Sequence, residues 1–397
     1  MKRREFIKHS ALASSLFMVP SFVKAFEDVA KKTLGFKKLV IVQLSGGNDG
    51  LNTIVPYTND LYYKKRPSLA IDKKDLLNIN GDLGFHKNLA PLKNLYDKGY
   101  VSVINNVGYP NPDRSHFRST DIWQTASASN EYLQTGWLGR FIDKNGEMPY
   151  NGIEVDDSLS LIMKGENVNG IATKNPQLLF SNTQTPFFKK VLKEQEKETH
   201  LSEHNLGYLY KTMIEASSSA KHIFQKSKTY KTNISYPKNP FAEQLKTTAK
   251  LINSDVQSQV YYVSMGGFDT HYSQAGRQDR LLDVYSKSME LFVKDLERSD
   301  RFKDTLILTF SEFGRRVKQN ASGGTDHGSA NNVFVIGKNL KKPGFYNEVP
   351  DLTNLDKNGD LKYTIDFREV YATILNNWME VNDEQILNKS FSKLDFI

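Results

Sequence analysis

The chain has 397 residues, of which 39% are hydrophobic and 25% are charged, a balance typical of a folded globular protein and not of a disordered one. It contains no cysteine, which excludes disulfides and thiolate metal ligands. Part of the formal net charge of +8 lies in the basic N terminus, and Lys and Glu are interspersed elsewhere. We therefore expect no nucleic-acid partner.

The first 25 residues have the layout of an export signal. Arg3 and Arg4 precede an apolar run from Ala11 to Val19, and a small residue follows at Ala25. The arginine pair resembles a twin-arginine signal, so we predict a signal peptide over 1–25 that uses the twin-arginine export machinery. The run is shorter than the ~20 residues of a membrane span. We predict cleavage after Ala25 and a periplasmic, extracellular or cell-surface protein without a stable membrane span; an uncleaved anchor is the alternative.

Apolar runs and amphipathic segments alternate along the rest of the chain. The predicted strands are 38–44, 101–104, 260–264, 305–310 and 333–336. The predicted helices are 89–98, 117–128, 281–298 and 366–379, the last with Asp366 as its N-cap. This alternation predicts an α/β fold with a doubly wound, mostly parallel sheet and helices on both faces.

One stretch, about 189–250, has a different composition. It is rich in Lys, Glu, Ser and Thr and predicts a helical insertion, either a cap over the site or a plain surface extension. We expect a single domain over 26–397 that contains this insertion. Near the C terminus, 354–361 is similar to a calcium loop but lacks its final Glu, and a turn at Asn358 and Gly359 is the better interpretation.

Polar segments border the predicted strands, where open α/β sheets bind ligands. Asp269 and His271 stand two residues apart in a glycine-rich segment after one strand. Glu312 follows another strand, and Asp326 and His327 precede the next. Two acids and a His around one loop are costly to bury without a cation. Oxygen and nitrogen ligands suit zinc, iron or manganese, so these residues predict a metal site.

Other side chains in these segments offer groups for chemistry. Ser115 could be a nucleophile if a metal or a base activates its hydroxyl, or it could cap a helix. Arg118 and Arg315 could hold an anionic oxygen of a substrate. Asp49 offers a carboxylate in a glycine-rich turn that could equally be structural.

Six short motifs together resemble the domain-of-unknown-function-1501 family of twin-arginine-exported bacterial proteins. They are LSGGNDGLN (44–52), RSHF (114–117), TGWLGR (135–140), GGFDTH (266–271), SEFGR (311–315) and GTDHG (324–328). That family is similar to the alkaline phosphatase and sulfatase superfamily. The resemblance therefore implies an alkaline-phosphatase-like fold with two divalent metals at the carboxyl edge of its sheet.

The resemblance also implies roles for single residues. Asp49 would bind one metal beside a hydroxyl nucleophile, for which Ser115 is the candidate. Asp269, His271 and His327 would bind the other metal, with Glu312 in place of the superfamily's Asp. Phe313 stands where the superfamily has a His, and Asp326 could compensate. We expect one or two divalent ions: zinc first, with manganese, iron or calcium as alternatives.

The function that these predictions favour is an exported metal-dependent hydrolase of phosphate or sulfate esters. Its substrate would be an anionic small molecule or polymer, attacked by a hydroxyl or a water that the metal activates. A non-catalytic envelope binding protein that keeps the fold is the alternative, and Phe313 favours it. A sugar or lipid transferase that uses the same metals is a third hypothesis.

Overall fold

The computed structural model describes residues 37–78, 81–195 and 204–397, and the predicted signal peptide lies outside them. The strands are β1 Lys38–Leu44, β2 Ile54–Val55, β3 Leu76–Asn78, β4 Gly84–His86, β5 Val101–Gly108, β6 Gly152–Glu154, β7 Ile171–Ala172, β8 Val260–Met265, β9 Thr305–Phe310, β10 Asn331–Ile336, β11 Gly344–Phe345 and β12 Ile365–Asp366. The helices are α1 Asp60–Lys65, α2 Ala90–Asp97, α3 His116–Thr125, α4 Trp137–Asn145, α5 Pro176–Thr183, α6 Pro186–Gln195, α7 His204–Ser227, α8 Pro240–Asn253, α9 Gln274–Arg298, α10 Phe367–Thr373, continued by a π-helical turn Ile374–Trp378, and α11 Glu384–Leu387.

A large mixed sheet forms the centre, in the order β11-β5-β10-β9-β1-β8-β6-β7, with β12 also paired to β5. β1 is parallel to both β8 and β9, and β6 is parallel to β7 and β8. β10 is antiparallel to both of its neighbours, β5 and β9. The predicted α/β fold with a mostly parallel sheet is confirmed, and the reversed direction of β10 is an addition that the apolar runs did not encode.

β1 shows why helices cover both faces of this sheet. All seven of its residues are buried. Val40, Val42 and Leu44 pack into a core layer that includes α2, α8 and α9. Leu39 and Ile41 pack into a second layer with α3, α4 and α10. Because successive side chains of a strand point to opposite faces, a strand with apolar residues on both faces requires cover on both sides.

Strand direction brings the polar segments to one edge of the sheet. β1, β8 and β9 run the same way, so the segments that leave them start from the same edge. β5 runs with them because it is antiparallel to β10, and the chain after β5 leads to α3. β10 runs the other way, so the segment that enters it lies at this edge too. Motifs far apart in sequence therefore meet in space.

Most predicted boundaries agree with the structure, with shifts at the ends. β1 and β9 begin and end where predicted. α9 starts at Gln274, seven residues before the predicted start at 281. The prediction relied on apolar spacing, and the first turns of this helix are largely polar. Asp366 is the N-cap of α10, as predicted, and forms a capping box with Glu369. The predicted turn is also present, with Gly359 at φ +81°.

The segment predicted as an insertion contains helices of two kinds. α8 packs on the sheet and buries Leu245 and Ala249 in the same core layer as β1. α7 lies before it and stacks Phe224 on Phe180 of α5, with ring centroids 4.6 Å apart.

Within the described ranges, no helix combines the length and apolarity that a membrane span needs.

Candidate metal centre

Three imidazoles and one carboxylate converge at the carboxyl edge of the sheet. Asp269 and His271 follow β8, His327 precedes β10, and His116 is the first residue of α3. The Oδ1 atom of Asp269 lies 3.0 Å from Nε2 of His271, 3.3 Å from Nε2 of His327 and 3.4 Å from Nε2 of His116. The Nε2 atoms of His271 and His327 are 2.8 Å apart. We call these four side chains the histidine cluster.

Each imidazole of the histidine cluster is held at its other nitrogen. The Nδ1 contacts are His327 to the Arg114 carbonyl oxygen at 2.7 Å, His271 to Asp326 Oδ1 at 3.1 Å and His116 to Glu312 Oε1 at 2.8 Å. A carbonyl or ionised carboxylate oxygen can only accept a hydrogen bond, so each Nδ1 carries the hydrogen. In a neutral ring the lone pair is then on Nε2, which faces the middle of the cluster.

This arrangement fits a bound cation. The ligand atoms of His116, Asp269 and His327 lie within 4.8 Å of one another. Lone pairs and a carboxylate oxygen at these separations repel one another unless a proton or a metal ion lies between them. Nε2 of His116 is buried and has no hydrogen-bond partner in the described part of the chain. Metal-bound histidines typically donate their second nitrogen to a carboxylate or carbonyl, as all three do here.

The electrostatics of the site favour the forms that could bind a metal at Asp269 and His327 and oppose that form at His116. Burial raises the pKa of Asp269, but the hydrogen bond and charge of Arg315, with smaller effects of His271 and His116, lower it overall to about 2. Burial, aided by neighbouring positive charge, lowers the pKa of His327, so its ring favours the neutral form. The hydrogen bond to Glu312 raises the pKa of His116 above its usual 6.5. Because only the neutral ring can bind a metal, metal binding at His116 would compete with protonation.

Arg315 ties the loops beneath the histidine cluster together. Its buried guanidinium donates to the carbonyl oxygens of Gly46, Gly47, Phe268 and Thr325 and to Asp269 Oδ1, the last at 2.7 Å. The β1 and β8 segments approach so closely that a Cβ on Gly46, at φ +117°, would lie 2.4 Å from the backbone nitrogen of Asp269. The glycine and the arginine together fix the position of Asp269.

Asp49, a predicted metal ligand, lies outside the histidine cluster. Its side chain is 0% exposed, and Oδ2 accepts a 2.6 Å hydrogen bond from the equally buried Arg66 and another from Gln274. Its Oδ1 is buried without a hydrogen-bond partner among the described residues. The geometry does not support Asp49 as a ligand of the same ion; it makes Asp49 half of a buried ion pair.

Glu312 and Asp326 are two further predicted ligands. They contact the Nδ1 atoms of His116 and His271, on the side of each ring that faces away from the centre of the cluster. Glu312 is buried and also accepts a 2.7 Å hydrogen bond from the Gly46 backbone nitrogen. Asp326 also accepts from Asn320 at 3.1 Å. Phe313 packs against His116 and His327, with ring centroids 4.8 Å apart in both cases. The third imidazole therefore comes from the start of α3, beside the position that Phe313 occupies.

Ser115 and Arg118, predicted as catalytic, are engaged in local structure. Ser115 is the N-cap of α3, and its Oγ accepts from the Arg118 backbone nitrogen at 3.5 Å. The Arg118 guanidinium donates to the carbonyl oxygens of Ala128, Ser129 and Glu131 and lies 3.9 Å from the ring centroid of Tyr132. Neither their catalytic role nor that of Arg315 follows from these contacts.

Sequence reasoning missed three residues that the structure brings to this edge: His116, Arg66 and Gln274. His116 belongs to the RSHF motif, but its role depends on where β5 ends and α3 begins. A His at the first position of a helix that follows a strand could have been a signal. Arg66 and Gln274 lie at the end of α1 and the start of α9, and nothing in the sequence links them to Asp49.

Two cavities open beside the histidine cluster. The first, of about 660 Å³, is lined by Lys64, Lys65, Arg316, Lys318 and Asp326 among others, and we call it the basic groove. The second, of about 280 Å³, is lined by Tyr109, Trp123, Tyr363 and Glu312 among others, and we call it the aromatic pocket. The groove includes Asp326, the partner of His271, and the pocket includes Glu312, the partner of His116.

The family model described as "Protein of unknown function (DUF1501)" matches residues 99–390, which include all four side chains of the histidine cluster. The chain belongs to the DUF1501 family. A comparison of this DUF1501 protein with curated protein sequences finds no match.

Several solved structures resemble the DUF1501 chain at low identity. The lipoteichoic acid synthase LtaP from Listeria monocytogenes is 11% identical, with 91% of this chain and 74% of that chain covered and a TM-score of 0.42. The PsFucS1 sulfatase from Pseudoalteromonas sp. is 13% identical, with coverages of 94% and 73% and a TM-score of 0.40. An alkaline phosphatase superfamily protein from Vibrio parahaemolyticus is 10% identical, with coverages of 91% and 72% and a TM-score of 0.40. Similarity at this level transfers no activity to the DUF1501 protein.

Proposed function

We propose that this DUF1501 protein is an exported metal-dependent hydrolase of phosphate or sulfate esters that uses one divalent ion, with zinc as the first candidate. The observation that carries the proposal is the convergence of three Nε2 atoms and Asp269 Oδ1, each ring being held at Nδ1 by an oxygen. Export is proposed from the arginine pair and apolar run at the N terminus.

The residues of the histidine cluster would hold the ion, and their partners would keep the rings in place. Once bound, such an ion lowers the pKa of a water molecule and stabilises negative charge on an ester oxygen. Glu312, Asp326 and the Arg114 carbonyl fix the tautomers, so no ring has to reorient. The side chains of Asp269 and His271 are 49% and 39% exposed, which leaves the centre open to a substrate.

We propose water as the nucleophile, in preference to Ser115. The Ser115 hydroxyl is used at the N-cap of α3, where it accepts from a backbone N–H. An anionic ester fits the surroundings because the basic groove presents four cationic side chains against the single carboxylate of Asp326. The groove would attract such a substrate towards the centre.

The alternative, an envelope binding protein without turnover, has one observation in its favour. Arg315, which could have held a substrate oxygen, donates through all three of its guanidinium nitrogens to four carbonyls and Asp269. Arg118 donates to three carbonyls through Nη2. A protein of this kind would bind metal and an anionic ligand and leave the ester intact.

The two functions are separated by an ester assay on metal-loaded protein. Nitrophenyl phosphate and sulfate esters would be incubated with the wild type, His327→Ala and Ser115→Ala. We expect hydrolysis that disappears after chelation and in His327→Ala but persists in Ser115→Ala. Loss of hydrolysis in Ser115→Ala with metal retained would make Ser115 the nucleophile. Bound metal without turnover of any ester would favour the binding protein.

A further inference from the structure

The basic groove combines side chains from two segments that the fold holds together. Lys64 and Lys65 form the last turn of α1, and Arg316 and Lys318 follow β9. Arg316 lies 3.6 Å from Asp360, but no ion pair is recorded among the described residues for the three lysines. Cations gathered without acidic partners repel one another, so the groove has positive charge to offer to a ligand.

Hydrogen bonds fix the spacing of the two walls. The buried Arg66, next to Lys65, donates to the carbonyl oxygens of Arg316 and Val317 at 2.8 and 2.9 Å. The Gln319 side chain accepts from the backbone nitrogens of Ser68 and Leu69 at 2.9 and 3.0 Å, and its own backbone nitrogen donates to the Lys65 carbonyl at 3.1 Å. The two backbone segments that carry the cations are therefore held at a fixed spacing before a ligand binds. This preorganisation lowers the entropy cost of binding.

Two residues that line the groove contact the histidine cluster. Asp326 and Asn320 line the groove, and both contact His271: Asp326 Oδ1 accepts from Nδ1 of the ring, and Asn320 Nδ2 donates to the His271 carbonyl at 2.8 Å. Its volume of about 660 Å³ exceeds what one phosphate or sulfate group fills. One anion at the metal would leave the lysines without a partner.

We infer that the basic groove is a second anion subsite, and that the substrate carries further phosphate or sulfate groups beyond the ester that is cleaved. This inference rests on the proposed function for the cleaved ester, but the groove itself can be tested without metal or turnover. The substrate class is then an oligomeric or polymeric anion whose neighbouring charges lie against Lys64, Lys65 and Lys318.

Calorimetric titration with sucrose octasulfate and with inorganic sulfate tests the inference on the full chain. Both probes would be measured at ~0.1 M salt, where charges a Debye length apart still interact. We expect the octasulfate to bind at least about tenfold more tightly than sulfate. The triple variant Lys64→Ala/Lys65→Ala/Lys318→Ala should weaken octasulfate binding by about tenfold or more. Equal affinities for the two probes would overturn the inference.

A matched control has the same loss of charge elsewhere. Lys221 in α7 and Lys231 and Lys238 in the connection from α7 to α8 are exposed and do not line the groove. Lys221→Ala/Lys231→Ala/Lys238→Ala should leave octasulfate binding unchanged. An equal weakening in both triple variants would mean that net charge alone binds the probe, and would overturn the inference.

Repeating the titration after chelation separates the groove from the metal centre. Octasulfate binding that survives chelation and still depends on the groove lysines supports the subsite even if the protein hydrolyses no ester. Binding that disappears on chelation alone would place the anion at the histidine cluster and contradict a separate subsite.

Discussion

Asp49 and Asp269 follow neighbouring parallel strands, β1 and β8, and leave the same edge of the sheet. Asp49 is fully buried and takes its positive partner, Arg66, from within the chain. The Asp269 side chain is 49% exposed and, besides Arg315, faces the Nε2 atoms of three imidazoles. The two carboxylates therefore differ in access: the chain encloses Asp49 with its own cation, and it leaves Asp269 open to a cation from solvent.

Asp49→Asn tests the structural side of this comparison and has the largest expected effect on stability. The substitution keeps the shape of the side chain but leaves Arg66 charged and buried without an anionic partner. We expect a loss of about 3–5 kcal/mol in the free energy of unfolding, measured by urea denaturation. Metal content of the folded variant should stay at the wild-type level. Unchanged stability with loss of metal would make Asp49 a ligand.

Glu312→Gln and Asp326→Asn test the ligand side, through the groups that orient the rings. Both replacements keep an acceptor oxygen but remove the charge that holds the Nδ1 hydrogen of His116 or His271. Zinc affinity should fall by about 10- to 100-fold in each variant, as measured by competition with a chromophoric chelator. Glu384→Gln, at an exposed glutamate, is the matched control. Wild-type affinity in both variants would remove these carboxylates from the centre.

Glu154 extends the comparison to a buried carboxylate of β6, whose effect is small at any one pH and accumulates across a pH range. Burial raises its pKa from 4.5 to about 7, although Ser160 donates two hydrogen bonds to it. Between these values the unfolded chain loses the proton while the folded protein keeps it, so stability falls as pH rises from about 4.5 to 7 and then levels off. The total change is on the order of 3 kcal/mol, since one unit of pKa difference corresponds to about 1.4 kcal/mol.

The Glu154 effect is measured by urea denaturation of the wild type and Glu154→Gln at pH values below and above this window. The difference in stability between the two proteins should shift in favour of the variant as pH rises. A difference that does not depend on pH would mean that Glu154 ionises normally in the folded protein.

Much of the fold could be predicted because its signals are local. The apolar run of β1 and the capping residue Asp366 each specify one element, and both predictions are confirmed. The direction of β10 could not be predicted, since Asn331–Ile336 is apolar in the same way whether it runs parallel or antiparallel. The π-helical turn after Thr373 has no sequence signal either.

The sequence predicted which segments come together at the site, but it did not predict which side chains contact one another there. The motifs identified Asp269, His271 and His327, which do come together, because carboxyl ends of neighbouring strands share an edge. The role of His116 depends on a helix start after β5, and the pairing of Asp49 depends on Arg66 seventeen positions away. Such contacts are set by tertiary packing, which spacing in sequence does not reveal.

The central claim is that the histidine cluster holds one divalent ion and that Asp49 does not. Elemental mass spectrometry of the purified protein, loaded with zinc and desalted, tests this most directly. We predict one ion per chain in the wild type, in Asp49→Asn and in His222→Ala, whose imidazole lies outside the cluster, and none in His116→Ala or Asp269→Ala. A wild type without metal, or loss of the ion in Asp49→Asn with retention in His116→Ala, would contradict the account.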